Sequence, residues 1–197
     1  MDDLKIGCVV MAAGDARRFG ENKLSACLDG KSLIRRALEA VPDEEFQTVA
    51  VVTQYEEVAA LAQSFGFLSV HNPHPDWGIS HTIRLGLEAL GEVDAALFQV
   101  SDQPLLRRET VRAEVEFFRR HPESLVGLAH GGVRGNPCIF PAAYFPELLR
   151  LREDQGGSTV IRRHRESLLL FETEARELAD ADTPQALRAM GEGRALV

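Results

Sequence analysis

At 197 residues and 45% hydrophobic, the chain is long enough to bury one substantial core and short for two. Its 22 Lys and Arg against 30 Asp and Glu give a net charge of −8, which argues against a broad nucleic-acid or anionic-membrane surface but leaves room for a local anion site. No run approaches about 18 consecutive apolar residues, so no membrane span is expected. The start, Met1-Asp2-Asp3-Leu4-Lys5, is acidic and passes directly into a strand, unlike a secretory signal. The cysteines Cys8, Cys27 and Cys138 have no CxxC spacing, which points to neither a disulfide framework nor a zinc site. Cys8 and Cys138 lie in apolar strands and read as buried thiols, and a reducing cytoplasm is the expected setting.

Apolar runs alternate with amphipathic stretches along the chain, the pattern of an α/β fold with a mostly parallel sheet and helices on both faces. Residues 5–11 read as the first strand. After the turn Asp29-Gly30-Lys31, Ser32 caps a helix through Val41 that Pro42-Asp43 ends. Residues 48–53 form a wholly apolar strand, 55–65 a helix closed by Gly66, and 67–71 a short strand. The prolines and glycine of 72–80 exclude regular structure before a helix from about Ser80 to Leu90. A strand at 94–100 ends at Ser101-Asp102-Gln103-Pro104, and a helix covers 108–120. The strand 125–129, a glycine turn over 130–135 and a strand at 136–140 suggest an antiparallel pair. A helix at 143–151, the turn Asp154-Gln155-Gly156-Gly157, a helical stretch through His164 and a strand at 168–171 follow, before Asp180-Ala181-Asp182-Thr183-Pro184 opens the last helix. With no repeat or linker, residues 1–197 are expected to form one domain.

The stretch from Ile6 to Lys23 carries the strongest chemical signal. A buried strand stops at Ala12-Ala13-Gly14, and Arg17, Arg18, Gly20 and Lys23 follow. Glycine lets an anion approach main-chain N–H groups, and the basic side chains add charge at the same place. A solvated surface loop is the plain alternative. A P-loop, GxxxxGKS/T, fails because Ser25 stands where the first glycine belongs ahead of Gly30-Lys31-Ser32. A dinucleotide fingerprint, GxGxxG, fails at Ala16, and Arg17-Arg18 would crowd a pyrophosphate held at backbone range.

What remains, Ala12-Ala13-Gly14 followed by Arg18-Phe19-Gly20 and Lys23, resembles the signature of nucleotidyltransferases with the nucleoside-diphospho-sugar transferase fold. Gly78-Ile79-Ser80, Ser101-Asp102-Gln103-Pro104, Arg134-Gly135-Asn136-Pro137, Asp154-Gln155-Gly156-Gly157 and Asp180-Ala181-Asp182-Thr183-Pro184 follow in order. Together, over about residues 5–190, they resemble the molybdenum cofactor cytidylyltransferases. The resemblance implies a three-layer, Rossmann-like domain that joins the CMP part of CTP to the phosphate of molybdopterin and releases pyrophosphate. A transient contact with a recipient molybdoenzyme is implied as well.

Under that resemblance Ala12, Ala13 and Gly14 bind nucleotide and match the cytidine-selecting form, with Ser80 contributing at the helix start. Arg18 and Gly14 hold the leaving phosphates, and Lys23 stabilises charge at the reacting phosphorus. Asp102, at the carboxyl end of a buried strand, suits Mg²⁺ or Mn²⁺, although an Asp there also serves as a helix cap. Asp182 is the second candidate metal ligand with Asp180 as its alternative, and a solvated helix start accounts for either. Trp77, His81, Asn136 and Asp154 are the candidate acceptor contacts, with His74 and Thr82 close by. A packed Trp77 is the plain alternative. His81, Asn136, Ser101 and Gln155 depart from the family's usual residues. His130 and Arg134 read as exposed, and the run Arg162-Arg163-His164-Arg165 as a solvated basic face. Other readings are transfer from GTP or to a sugar or polyol phosphate, and a non-catalytic cofactor-binding chaperone. An NAD-dependent oxidoreductase is disfavoured by the failed fingerprint.

Overall fold

The computed structural model describes residues 4–14 and 23–192. Its centre is β1 (Ile6–Ala12), buried almost throughout because no polar residue interrupts the run. A turn of 3-10 helix at Lys23–Ser25 leads into an antiparallel ribbon of β2 (Cys27–Leu28) and β3 (Lys31–Ser32). Asp29 and Gly30, at φ +50° and +77°, make its turn. α1 (Leu33–Glu39) starts where the Ser32 hydroxyl accepts from the Arg35 N–H at 3.3 Å. β4 (Thr48–Thr53), α2 (Glu56–Ser64), β5 (Leu68–His71), α3 (Ile79–Leu90), β6 (Ala95–Val100) and α4 (Arg108–Arg119) continue the alternation. The hairpin β7 (Leu125–His130) and β8 (Val133–Pro141) comes next. After it come α5 (Phe145–Leu148), α6 (Gly157–Arg163), β9 (Leu168–Glu172) and α7 (Pro184–Gly191).

The main sheet runs β5-β4-β1-β6-β8-β7-β9. β5, β4, β1 and β6 are mutually parallel, β8 is antiparallel to both its neighbours, and β9 is parallel to β7. Alternate residues of β1 divide the core. Cys8 and Val10 pack with Leu38 of α1, Val58 of α2 and Val115 and Phe118 of α4. Val9 packs on the other face with Ile83 and Leu87 of α3, Leu148 of α5 and Val160 of α6. Each fully buried Leu, Ile or Phe in these layers contributes about 1.5–3 kcal/mol through removal from water. The mostly parallel mixed sheet with helices on both faces is the Rossmann-like nucleotidyltransferase architecture implied by the resemblance.

Local details differ from the sequence expectations. The antiparallel pair has a tight turn rather than a six-residue one: Gly131 and Gly132 both take positive φ, so β8 begins at Val133. The helix expected at 143–151 is a 3-10 turn followed by the short α5, because Pro146 allows the first turn but supplies no N–H to extend it backwards. No helix among the described residues is long and apolar enough to cross a membrane.

Candidate active site

The carboxyl ends of the parallel strands β1, β4 and β6 open into a cleft of about 650 Å³. This is the edge where open α/β sheets bind ligands. Ala13, Gly14, Lys23, Gln54, Ser101 and Asp102 line its floor and near side. Ala12 is buried beneath them at the end of β1. The Gln54 amide donates to the Ala13 carbonyl at 2.9 Å, and the Tyr55 hydroxyl to the Gly14 carbonyl at 3.3 Å. These two side chains at the end of β4 therefore fix the peptides that leave β1. Arg18 lies in 15–22, outside the described residues.

Lys23 emerges from its short turn with Leu24 anchored in the core beside it. Its ammonium lies 3.0 Å from Asp102 Oδ2 and 3.0 Å from Asp182 Oδ1. Burial alone would lower the Lys23 pKa, and Asp102, followed by Asp182, more than reverses this and raises it. The Ser101 hydroxyl donates to the Met11 carbonyl at 2.8 Å, tying β6 to β1 immediately before Asp102. The Asp102 carbonyl accepts from the Ala181 N–H at 2.8 Å, which draws the 180–182 segment to the same edge.

Asp180 and Asp182 face different partners. Gln103 donates its amide to the Leu178 carbonyl at 3.2 Å and to Asp180 Oδ1 at 3.0 Å. Burial, and then the Asp102 charge, raises the Asp180 carboxyl above the ordinary range. Asp182, 58% exposed, is the one that meets Lys23. Thus Asp102 and Asp182 converge on a single positive centre while Asp180 is held behind them. Among the described residues no three His, Cys, Asp or Glu side chains form a closed metal cage.

The far wall is built by two loops. Pro75, Asp76 and Gly78 come from one, which runs on into Ile79 and Thr82 of α3, and Asp154 from the other. Gly78 has φ +82°, and a Cβ there would lie 2.4 Å from the Glu153 carbonyl carbon and oxygen. The Ser80 N–H donates to that carbonyl at 3.1 Å. Only glycine permits this conformation and approach together. Ser80 itself is buried behind the wall rather than on it.

The remaining candidate acceptor residues are dispersed. Asp154 is on the cleft wall. Trp77, 52% exposed, stacks on His74 with ring centroids 4.0 Å apart and meets the edge of His81 at 4.9 Å. This outer rim cluster does not line the cleft. Neither His81 ring nitrogen has a hydrogen-bond partner, and burial, then Arg84 and His74, lowers its pKa. Asn136 faces a second, smaller cavity. Sequence reading missed Gln54 and Tyr55, whose position at the end of a parallel strand was the available signal.

Comparison with known proteins bears on the fold and the family. A curated relative, purine catabolism protein PucB of Bacillus subtilis (strain 168), is 26% identical over 191 residues, covering 90% of this chain and 91% of the relative. Rv0371c of Mycobacterium tuberculosis H37Rv superimposes with a TM-score of 0.80 at 19% identity, over 98% of this chain and 100% of its own. It has also been solved in complex with manganese. Molybdopterin-guanine dinucleotide biosynthesis protein A of Archaeoglobus fulgidus gives a TM-score of 0.71 at 19% identity, over 94% and 97% of the two chains. Residues 8–168 match the model of the MobA-like NTP transferase domain, and the chain belongs to that nucleotidyltransferase family.

Proposed function

We propose that this protein transfers CMP from CTP to the phosphate of molybdopterin with release of pyrophosphate. The observation that carries the reading is the Lys23 ammonium held 3.0 Å from both Asp102 and Asp182 at the sheet edge. A positive group flanked by two carboxylates beside a glycine loop is an arrangement suited to a triphosphate with its divalent ion.

Asp102 and Asp182 fit Mg²⁺ or Mn²⁺. Their oxygens already converge on one cation, and such ions take one or two carboxylates, with phosphate and water as the remaining ligands. The manganese complex of Rv0371c supports the use of a divalent ion by proteins of this kind. Bound there, the ion would supply Lewis-acid neutralisation of phosphate charge. Asp180 would hold the segment through Gln103 rather than ligate the ion.

A phosphate oxygen of the acceptor attacks the α-phosphorus, and the bond from that phosphorus to the bridging oxygen breaks. Pyrophosphate leaves with the electron pair. The acceptor is already anionic, so positioning and charge neutralisation carry the catalysis rather than a strong base. Lys23 neutralises charge at the reacting phosphate, and Gly14 with Arg18 holds the departing phosphates. Ala13 and Gly14, their carbonyls held by Gln54 and Tyr55, present peptide groups to the pyrimidine, with Ala12 beneath them. The three free cysteines, with Cys27 exposed, support work in a reducing cytoplasm. Delivery of the product to a molybdoenzyme would follow from its chemistry.

The test is pyrophosphate release from CTP with Mg²⁺, with and without molybdopterin. Acceptor-dependent release supports the proposal, and no release with any acceptor favours a binding module. The Archaeoglobus fulgidus relative is named for a guanine dinucleotide, so GTP is the donor to compete against CTP. A clear GTP preference would replace CTP in the reading.

A further inference from the structure

β8 turns Arg134, Asn136, Cys138 and Phe140 to one face of the sheet, where they border a cavity of about 110 Å³. Ile79, Phe98, Phe140 and Ile161 make its body apolar, and Arg134, Asn136 and Ser158 supply its polar groups. Met11, Ile79 and Val100 line both this cavity and the cleft, so the two adjoin immediately before Asp102.

Arg134 is half-buried, and all its partners are neutral. One guanidinium nitrogen donates to the Gly135 carbonyl at 2.9 Å and lies 3.0 Å from Cys138 Sγ; the other donates to the Ser158 hydroxyl at 2.7 Å. The thiol carries no charge, because burial, opposed in part by Arg134, pushes its pKa up to about 11. Among the described residues no carboxylate pairs with this guanidinium. The neighbouring strand leaves room for it: a Cβ at Gly127 would lie 3.1 Å from Arg134 Cγ and 3.1 Å from Cys138 Sγ. A cationic fork partly removed from water, without a counter-charge, at an apolar cavity is an anion receptor.

We propose that Arg134 binds an anionic substituent, a carboxylate or phosphate, of an acceptor molecule whose flat ring enters this cavity. This rests on the reading of the adjoining cleft as a nucleotidyl-transfer site. It adds that the acceptor is gripped on β8, at a point separate from the donor's triphosphate. Ser158 and Asn136 set the direction of the anion. Phe98, Phe140 and Ile161 offer contact to the faces of a flat ring, and the polar groups of its edge are left to Arg134, Asn136 and Ser158.

Pterin-6-carboxylate, a fluorescent ring acid, is the probe. Its binding is measured for the full chain and for two variants. Arg134→Met keeps the aliphatic stem and removes the charge. Ser158→Glu, at an exposed position, places a carboxylate where the anion would lie. Both should weaken probe binding by about 10- to 100-fold, the range for a charge-assisted contact, while CTP affinity with Mg²⁺ stays within about threefold. Equal probe binding by wild type and Arg134→Met, or no probe binding by wild type, overturns the proposal. If wild type binds CTP and the probe in this pattern but releases no pyrophosphate with molybdopterin, the named acceptor falls and the anion site stands. Failure of wild type to bind CTP removes the transfer reading instead.

Discussion

Lys23→Met separates the two roles that Lys23 plays. The substitution keeps an apolar stem and removes the ammonium that lies 3.0 Å from each of Asp102 and Asp182. At an effective dielectric of about 20, each contact has a gross Coulomb energy of about 5 kcal/mol. The net value is far smaller because the side chains of Asp102 and Asp182 are 30% and 58% exposed. The Asp182 contact contributes less than about 1 kcal/mol and the better-shielded Asp102 contact about 1 kcal/mol. Loss of both, with Asp180 nearby to repel Asp102, gives a destabilisation of about 1–2 kcal/mol, or about 2–8 °C in Tm for a chain of this size.

Turnover should fall much further. Loss of one preorganised group that stabilises transition-state charge costs about 10²–10³ in rate, or about 3–4 kcal/mol. Metal affinity should move the other way. Without the ammonium, Asp102 and Asp182 present uncompensated charge, and nucleotide-free Mn²⁺ binding should tighten by about tenfold. The assays are thermal melting, pyrophosphate release and Mn²⁺ titration followed by paramagnetic resonance. Turnover within about threefold of wild type would exclude Lys23 from the transfer step. Unchanged Mn²⁺ binding with lost turnover would detach the metal site from the Asp102–Asp182 pair.

Three further outcomes follow from the structure. Glu177 is fully buried and accepts from the Arg107 side chain, the Arg107 N–H and Thr173. Burial alone would raise its carboxyl, but Arg107, Thr110 and Thr173 hold it below the usual value. Its contribution is therefore present above the unfolded carboxylate pKa and lost as pH falls through the lower folded one. Glu177→Gln should lose about 2 kcal/mol at pH 7 in urea melts, discounted for the half-exposed Arg107, and should show a shallower loss on acidification. Glu114 is the opposite case: it is fully buried with neither carboxyl oxygen hydrogen-bonded, and burial raises its pKa well above normal. Stability should decline as pH rises above the ordinary carboxylate value of about 4.3, and Glu114→Met should flatten that decline and raise stability at pH 8 by more than about 1 kcal/mol. Parallel pH–stability curves for variant and wild type would refute this. Gly78→Ala strains φ +82° and drives a Cβ to 2.4 Å from Glu153, so the cleft wall must shift. A rise of about tenfold in the CTP KM is expected, against near-normal values if the wall plays no part.

The order of strands and helices was legible because burial on both faces imposes unbroken apolar runs on β1, β4 and β6. The same logic placed Asp102 at a carboxyl edge. Choosing between Asp180 and Asp182 was beyond spacing alone, since i and i+2 share one strand-like face; the reach of Gln103 decides which carboxylate turns inward. Trp77 reads as a candidate acceptor contact, yet one face of its ring is taken by His74, a contact made within one loop and invisible to periodicity. Arg134 shows the limit best. A glycine-flanked arginine after a turn reads as solvated, and its burial depends on Gly127, a residue of the partner strand across a β-bulge. Pairing register, not local sequence, converts that arginine into a lining residue. The proposed acceptor side was therefore legible only in part, through Asn136, and for a physical reason. The proposed donor residues cluster at the ends of parallel strands, where sequence marks them, whereas the proposed acceptor cavity is assembled across the antiparallel β8, whose register was fixed only by the turn at Gly131 and Gly132.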